Sequence, residues 1–461
     1  MSDRPTAWRP AERAPEGSRG VALPGWRWLA AVWCLAALAP ASRADPPPTT
    51  PPEAPPMRRL VICLDGTWNN AERGTEVEDG RTRFFPTNVL KTYRAVLPVA
   101  PDGTTQIAYY SEGVGGFVGE PTRLLRLQTL SDRTFGGAYG GGFEGGVKSA
   151  YRFLVGNYQP GDQVFVFGFS RGAAQARSLV RFVDWAGGAL HKEDEYYIPE
   201  LFSRFRGSRA RPGDAAALLA EIRDRRRDAG AVRDPRPLTV RFLGVWDTVL
   251  ALGLRLKADR TEGEVPTVAP RHAFHLGRTV PPIVETARQA AAIDESRWDY
   301  RVHLWAGPGA PSRSLVQRWY PGVHTQVGGG REKGGLPNAS LRWMVVEAEA
   351  AGLALDGDYL KIYRPWVLAE PIGRTSRAFR WIDGLRGKRG RGVRPLEAGP
   401  DAGLGVDVSA LRLLLAEPAY RPANLLAWLA AHPEAAAALP DPADRARLAD
   451  IVAGHGAAAR R

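Results

Sequence analysis

Short apolar runs alternate with helix-forming segments through the middle of this chain. The run at 163–168 is rich in Val and Phe and is bounded by Pro, Gly and Asp, which is typical of a buried strand. The pattern predicts strands near 59–64, 105–111, 163–168, 238–246 and 314–320. It predicts helices near 88–97, 144–156, 173–186 and 338–351. This alternation favours an α/β fold with a doubly wound, mostly parallel sheet and helices on both faces.

The start of the chain has a different character. Residues 28–39 form an uncharged apolar run that follows several arginines and precedes small residues around Ala44. This is the form of a secretory signal peptide over residues 1–44, with an uncleaved N-terminal anchor as the alternative. A stiff Pro-rich linker follows at 45–57. The pattern predicts a periplasmic or secreted protein.

We expect the main α/β domain at 58–385. A helix-forming insertion at about 187–236 interrupts it, at a position where a lid over a site is common. Residues 386–461 are rich in Ala, Leu and Pro and predict a short helical C-terminal extension.

One motif in this frame carries chemistry. The segment Gly168–Gly172 has the form G-x-S-x-G and stands between a predicted strand and a predicted helix. In that setting the motif predicts a nucleophile elbow, in which a strained turn exposes a serine and glycines let neighbouring backbone pass close by. The alternative is an ordinary tight turn. We therefore predict that Ser170 is the nucleophile of an α/β-hydrolase-like fold.

A serine nucleophile needs a base. The chain has seven histidines, and the order Ser, Asp/Glu, His of α/β-hydrolases leaves all of them possible. His324 follows a strand-like run and a Pro-Gly pair and precedes three glycines, so we predict that it is the base, on a glycine-rich loop. His272 and His275 are interpreted as polar lid or loop residues.

Asp247 fits the acid of a triad. It directly follows the predicted strand at 238–246, where a carboxylate can orient the imidazole and stabilise its charged form. The alternative role is a helix N-cap. The pair Asp294-Glu295 is the competing source of the acid, in a setting that looks like a helix end.

An oxyanion hole needs two backbone N–H donors. The first is expected from Arg171, the residue after the nucleophile. The second is expected from Gly66 or Thr67, in the loop after the predicted strand at 59–64. Asp65 is expected to order that loop by hydrogen bonds rather than to do chemistry.

These motifs together resemble a known family. Four of them occur in the same order as in the DUF2235 α/β-hydrolases, which include the catalytic domain of Tle1-like type VI secretion phospholipase effectors. The segments that carry the resemblance are Leu64–Asn69, Gly168–Gly172, Gly244–Val249 and Pro321–His324 with the glycines after it, and Ala292–Arg297 also matches. The resemblance covers about residues 58–350.

The resemblance implies Ser170, Asp247 and His324 as a catalytic triad. It also implies ester hydrolysis, with glycerophospholipids as the substrate class of the effector branch. The chain departs from the effector pattern in two ways. It has an apparent export signal, which an injected effector does not need, and its tail beyond the core is short. A carboxylesterase acting on soluble esters and a non-catalytic envelope binding protein are the alternatives.

Charge and composition limit the kinds of partner that the sequence predicts. The chain carries a net charge of +13, and the first 44 residues contribute six arginines and three acids, which leaves +10 for the rest. Arginine clusters at 204–211, 223–227 and 384–391 are interpreted as solvated surface, with attraction to an anionic membrane as the alternative. No nucleic-acid motif accompanies them, so we predict no nucleic-acid partner. The sequence does not identify an immunity protein.

No cofactor or metal is predicted. The glycine-rich stretch at 136–149 lacks the glycine that a phosphate-binding P-loop needs directly before Lys-Ser. We interpret it as a flexible loop that enters a helix near residue 144. Cys34 lies in the predicted signal and Cys63 in a predicted strand, so Cys63 is expected to be a small core residue.

Overall fold

The computed structural model places the predicted elements in a three-dimensional frame. It describes residues 57–66, 74–76, 82–113, 137–207, 213–225, 232–250, 276–307, 314–330, 335–366, 372–373, 392–396 and 403–458. The predicted signal peptide and nearly all of the linker lie outside these residues, as do Thr67, His272 and His275.

The bounds of the elements follow the chain. The strands are β1 Arg59–Leu64, β2 Gly74–Glu76, β3 Thr82–Phe84, β4 Gln106–Ser111, β5 Gln163–Phe169, β6 Val240–Trp246, β7 Val284–Ala292, β8 Ser314–Tyr320 and β9 Leu404–Val406. The helices are α1 Asn88–Ala95, α2 Gly137–Asn157, α3 Arg171–Ala186, α4 Ile198–Gly207, α5 Asp214–Arg225, α6 His324–Gly328, α7 Gly335–Ala350, α8 Gly357–Lys361, α9 Val408–Ala416, α10 Ala423–Ala431 and α11 Pro442–Ala458. Short 3₁₀ helices cover Lys192–Tyr197, Trp298–Tyr300 and Pro433–Ala438.

Seven of the described strands form one parallel sheet in the order β4-β1-β5-β6-β7-β8-β9, and β2 and β3 form a separate antiparallel pair. From β1 the chain passes to β4 on one side and then adds β5 to β9 on the other. The strand order therefore reverses between β1 and β5. In open α/β sheets, ligands bind beyond the carboxyl ends of the strands at such a point.

Both faces of the sheet are buried. Along β1, the side chains of Leu60, Ile62 and Leu64 join a cluster with α2 and α3, and those of Val61 and Cys63 join a second cluster with α1 and α7. Successive side chains of a strand point to opposite faces, so a strand covered on both sides is apolar throughout. The prediction of a doubly wound α/β sheet is confirmed, and Cys63 is a buried core residue.

One central strand, β7, escaped prediction. Its sequence is rich in Ala and carries Glu285, Arg288 and Gln289, so it lacks the β-branched pattern of its neighbours. The polar side chains are nevertheless partnered, because Arg288 Nε pairs with Glu347 of α7 at 2.7 Å and Gln289 donates to Gln317 of β8 at 2.9 Å. Asp294 therefore follows a strand, and the expected helix end before it is wrong.

Helix α2 begins earlier than predicted. It starts at Gly137, so most of the stretch interpreted as a flexible loop is helical. One of its glycines has a packing role. A Cβ on Gly146 would lie 2.2 Å from Nε2 of Gln175 in α3, and that amide donates to the carbonyl of Phe143 at 3.0 Å. Gly146 thus leaves room for the side chain of Gln175 against α2.

The C-terminal part of the chain packs at the end of the sheet where β7, β8 and β9 lie. Leucines of α9, α10 and α11 form a third buried cluster with Ala291, Ile293 and Trp319, and β9 pairs with β8. By their contacts, residues 55–461 form one unit. The boundary at 385/386 stays a prediction.

The described part of the insertion packs against the side of α3 that carries Phe182. Phe182 of α3 contacts Phe202 and Phe205 of α4, with ring centroids 5.1 and 5.3 Å apart. Five of its arginines pair with acids, which lowers the positive charge they present; the pairs are Arg204–Glu221, Arg206–Glu144, Arg223–Asp234, Arg225–Glu200 and Arg233–Glu193. A role as a lid stays a prediction, and the basic segment at 384–391 lies outside the described residues.

Within the ranges that the structure describes, no helix is both long and apolar enough to cross a membrane. In the same ranges, no three His, Cys, Asp or Glu side chains are grouped so that they could hold a metal ion.

Candidate active site

The predicted site residues follow adjacent strands of the sheet. Asp65 follows β1, Ser170 follows β5, Asp247 follows β6, Asp294 follows β7 and His324 follows β8. Because these strands are parallel, all five residues lie at the same edge, beside the reversal of strand order. The side chains of Ser170, Asp247 and His324 come together there, whereas Asp294 contacts other groups.

Ser170 occupies a sharp turn between β5 and α3. Its φ of 59° and ψ of −124° are unfavourable for a residue with a side chain. The flanking glycines are required by space: a Cβ on Gly168 would lie 2.5 Å from the carbonyl oxygen of Gly172, and one on Gly172 would lie 2.1 Å from that of Leu64. The Ser170 N–H donates to the carbonyl of Trp246 at 3.0 Å. The backbone thus has the expected elbow geometry.

A continuous hydrogen-bond chain joins the three side chains. His324 Nδ1 lies 2.6 Å from Asp247 Oδ2, and His324 Nε2 lies 2.8 Å from Ser170 Oγ. An ionised carboxylate can only accept, so Nδ1 carries the proton and donates it. In the neutral ring Nε2 then accepts from the Ser170 hydroxyl. This is the tautomer that a general base requires.

Asp247 is fully buried and also strained. Its φ is 42°, and among the described residues other than glycine only Ser170 shares a positive φ. Its Oδ1 accepts from the Ala292 N–H at 2.9 Å, while its own N–H donates to the Ala290 carbonyl at 2.7 Å. Such conformations cost on the order of 1–3 kcal/mol each and cluster at functional sites.

Sequence analysis missed one residue of this site. The guanidinium of Arg394 donates to Asp247 Oδ1 at 2.6 Å and to Oδ2 at 3.1 Å. It also donates to the carbonyls of Ala292, at 2.9 Å, and of Tyr300. Nothing marks Arg394 in the sequence, because it follows a basic run in an arginine-rich chain.

Burial and charge set the protonation states. Burial raises the pKa of Asp247, but the charge of Arg394 and the hydrogen bond from His324 outweigh it, so that pKa lies well below its usual range. Burial lowers the pKa of His324 by more than the bond to Asp247 and its charge raise it. At neutral pH the site therefore holds an ionised carboxylate and a neutral imidazole.

The imidazole is fixed from several sides. Its ring centroid lies 4.7 Å from that of Phe169 and 5.1 Å from that of Tyr300. Glu295 Oε2 accepts from the His324 backbone N–H at 3.3 Å and pairs with Arg297 at 2.6 Å. His324 begins the short helix α6, so the expected glycine-rich loop is helical from His324 to Gly328.

Asp294 supports the turn before the histidine. Its Oδ2 accepts from the Gly322 N–H at 2.7 Å and from the Tyr420 hydroxyl at 3.0 Å. Burial raises the pKa of this carboxyl to about 6, against the opposing effect of these two bonds. These contacts do not reach the imidazole, whose Nδ1 faces Asp247.

The loop after β1 is ordered by Asp65. This carboxylate accepts from the Thr87 hydroxyl at 2.6 Å, the Tyr110 hydroxyl at 2.7 Å and the Gly66 N–H at 2.6 Å. The Gly66 amide is thus engaged within the loop, and Thr67 lies outside the described residues. The Arg171 N–H stands at the first residue of α3, directly after Ser170. The assignments of Arg171, Gly66 and Thr67 to an oxyanion hole stay predictions.

Comparison with known families decides the relationship. The family model described as "T6SS, Phospholipase effector Tle1-like, catalytic domain" matches residues 58–347, more than half of the chain. The chain belongs to this family. The resemblance drawn from the motifs is confirmed, and membership of a phospholipase family supports a hydrolytic enzyme. Ser170, Asp247 and His324 lie inside the matched range of the Tle1-like family, and Arg394 lies beyond it.

Three individual proteins are also similar to this chain. The chain is 34% identical over 140 residues to the uncharacterized protein YEL023C of Saccharomyces cerevisiae, covering 28% of this chain and 18% of the yeast protein. An uncharacterized protein from Pseudomonas aeruginosa is 18% identical, with a TM-score of 0.36 over 87% of this chain and 62% of that chain. The Tle1 effector bound to the VgrG spike of the type 6 secretion system is 16% identical, with a TM-score of 0.37 over 72% of this chain and 84% of that one. The chain thus spans less than two thirds of the yeast and Pseudomonas proteins.

Proposed function

We propose that this chain is a serine ester hydrolase that cleaves glycerophospholipids through an acyl-enzyme. The observation that carries the proposal is the hydrogen-bond chain from Ser170 Oγ through His324 to Asp247, with distances of 2.8 and 2.6 Å. Membership of the Tle1-like phospholipase family supports the substrate class.

In the first half-reaction, Ser170 Oγ attacks the ester carbonyl carbon while its proton passes to His324 Nε2. Asp247 stabilises the imidazolium that forms. The tetrahedral intermediate collapses, the carbonyl re-forms and the bond to the alcohol oxygen breaks. The proton on Nε2 goes to the leaving alcohol, so the acyl group stays on Ser170.

In the second half-reaction, water attacks the acyl carbon and gives a proton to the same nitrogen, Nε2 of His324. Collapse breaks the bond to Ser170 Oγ, which takes back that proton. The products are a carboxylic acid and the enzyme in its starting state. Arg171 N–H, with Gly66 or Thr67, is proposed to bind the oxyanion in both steps.

Two further uses of the same fold make different predictions. A carboxylesterase would use the same three residues on soluble esters. A non-catalytic binding protein has no use for strained backbone at both Ser170 and Asp247, where each costs on the order of 1–3 kcal/mol. The strain therefore favours an enzyme.

We also propose that the protein acts after export, in the periplasm or outside the cell, because residues 1–44 have the form of a signal peptide. N-terminal sequencing of the protein recovered from fractionated cells tests this. We expect an N-terminus just after Ala44 in the exported fraction. An intact N-terminus in the membrane fraction would support an anchor instead.

The activity is tested with vesicles of mixed bacterial phospholipids and, separately, with a short-chain nitrophenyl ester. Wild-type protein is compared with Ser170→Ala and with the control Ser149→Ala, which removes a hydroxyl from the middle of α2. We expect fatty acid release from lipid by wild type and the control only. Turnover of the soluble ester alone would favour the carboxylesterase. No turnover of either by folded wild type would contradict hydrolysis of these substrates and favour a binding protein.

A further inference from the structure

One residue of the C-terminal part of the chain, Arg394, contacts Asp247 in the site. It lies beyond the range that the family model matches. We propose that Arg394 is a positioning residue, which keeps Asp247 ionised and turned so that Oδ2 faces His324 Nδ1. The proposal rests on the function proposed above for Ser170, Asp247 and His324.

The contacts of the guanidinium are specific. Its two terminal nitrogens approach the two carboxylate oxygens of Asp247 at 2.6 and 3.1 Å, which is the paired geometry that Arg forms with carboxylates. The same nitrogens donate to the carbonyls of Ala292 and Tyr300. The side chain is therefore held against the loop after β7 as well as against Asp247. Only 3% of Arg394 is exposed.

Asp247 needs such a partner. Its exposure is 0%, and a carboxylate buried alone favours the protonated form. A protonated Asp247 could not stabilise an imidazolium. The bonds from His324 and from the Ala292 N–H satisfy one oxygen each but supply no permanent positive charge. Arg394 supplies that charge, and its guanidinium donates to both carboxylate oxygens.

Arg394 is itself held by its own segment, residues 392–396. The Gly392 N–H donates to the Ser296 carbonyl at 3.0 Å, and Leu396 belongs to the third buried cluster, which the leucines of α9, α10 and α11 form. The Asn424 amide of α10 donates to the Arg394 carbonyl at 3.0 Å and to the Ile293 carbonyl at 3.1 Å. The C-terminal helices thus fix the arginine against the strand ends.

Other charged groups near the imidazole would remain if Arg394 were removed. Glu295 and Arg297 face it from the loop after β7 as a closed ion pair, and Tyr300 contacts its ring. His303, whose pKa is lowered to about 4 by burial and then by Arg177 and Arg394, lies farther along the same loop. Loss of Arg394 therefore removes the positive charge behind Asp247, so the hydrogen-bonded Asp247–His324 pair should take up a proton at a higher pH. The apparent pKa read at the His324 ring should rise, and a proton on either member of the pair impairs the base.

The test uses the full chain, a fluorophosphonate probe that labels activated serines, and the variants Arg394→Met and Arg394→Lys. The control Arg236→Met removes a partly buried guanidinium, which donates to the carbonyls of Val155, Leu190 and Tyr158. For Arg394→Met we expect labelling at pH 7 to slow by about 10- to 100-fold, with the acid limb of the pH–rate profile moved to higher pH. Arg394→Lys should restore the limb but only part of the rate, because an ammonium cannot bridge both oxygens. Arg236→Met should keep the wild-type rate and limb.

A folded Arg394→Met protein with the wild-type rate and limb would overturn the proposal, as would an equal change in the Arg236→Met control. If Arg394→Met does not fold, Arg394→Lys decides by its rate: a wild-type value overturns the proposal. If wild type is not labelled at all, the proposed function fails. NMR titration of the His324 ring, assigned with His324→Gln, then tests Arg394 separately. A pKa that is higher in Arg394→Met supports the positioning role, and an unchanged pKa contradicts it.

Discussion

At the scale of single residues, the backbone is strained at two positions of the candidate site. Ser170 and Asp247 have φ of 59° and 42°, and both side chains contact the His324 ring. Strain at functional positions is retained only when the surrounding structure fixes it. Here the glycines at 168 and 172 fix the first turn, and Ala290, Ala292 and Arg394 fix the second.

The protonation state of His324 gives a prediction about pH. Burial lowers its pKa below 6.5, and only the neutral ring can accept the Ser170 proton. Activity should therefore be constant through neutral pH and fall as pH drops through a pKa below 6.5. The measurement is kcat/KM against pH for the nitrophenyl ester or for probe labelling. An acid limb centred above 7 would contradict the assigned environment.

The three residues of the hydrogen-bond chain could be predicted because each stands in an informative setting. Ser170 lies in a G-x-S-x-G turn, Asp247 ends an apolar strand and His324 follows another. Arg394 could not be predicted, since its partner lies 147 residues earlier and the chain contains many similar arginines. The setting of Asp294 resembles a helix end in sequence, because the alanines before it belong to a strand whose polar side chains are partnered.

At the scale of elements, close approach of backbone decides which glycines matter. Those at 168 and 172 let α3 begin against the end of β1, whereas Gly145 lies on α2 with open space where a Cβ would stand. Glycine-rich sequence therefore has more than one meaning in this chain. Gly168 and Gly172 permit a turn, Gly146 leaves room for the side chain of Gln175, and Gly145 has no such neighbour.

Substituting these glycines should give opposite results. Gly172→Ala forces a Cβ against the Leu64 carbonyl, so we expect a loss of about 1–3 kcal/mol in the free energy of unfolding and slower labelling of Ser170. Gly145→Ala should stabilise the fold by about 0.5–1 kcal/mol, because alanine suits a helix better. Urea unfolding measures both. Equal effects of the two substitutions would contradict the packing at the elbow.

At the scale of the whole molecule, the C-terminal segment is joined to the sheet and to the site. It covers Ile293 and Trp319, adds β9 beside β8 and contributes Arg394 and Tyr420 to the loops around His324. Composition alone suggested an appended helical unit, because Ala- and Leu-rich helices reveal neither the short strand before them nor the surface they cover.

A chain that ends at residue 385 should therefore not fold stably. It would expose Trp319 and Ile293 and leave Asp247 buried without its cation. A chain that ends at residue 458, which keeps α11 complete, is the control. Near-ultraviolet circular dichroism and size-exclusion chromatography compare the two. A folded, active protein ending at 385 would show that the extension is a separate unit.

The most direct test of Ser170 as the nucleophile is to locate the covalent adduct of the fluorophosphonate probe by peptide mass spectrometry. We expect stoichiometric labelling of Ser170 in wild type, no labelling of Ser170→Ala, and a loss of about 100-fold or more in rate for His324→Ala. Labelling of another serine, or an unchanged rate without His324, would contradict a nucleophile activated by His324.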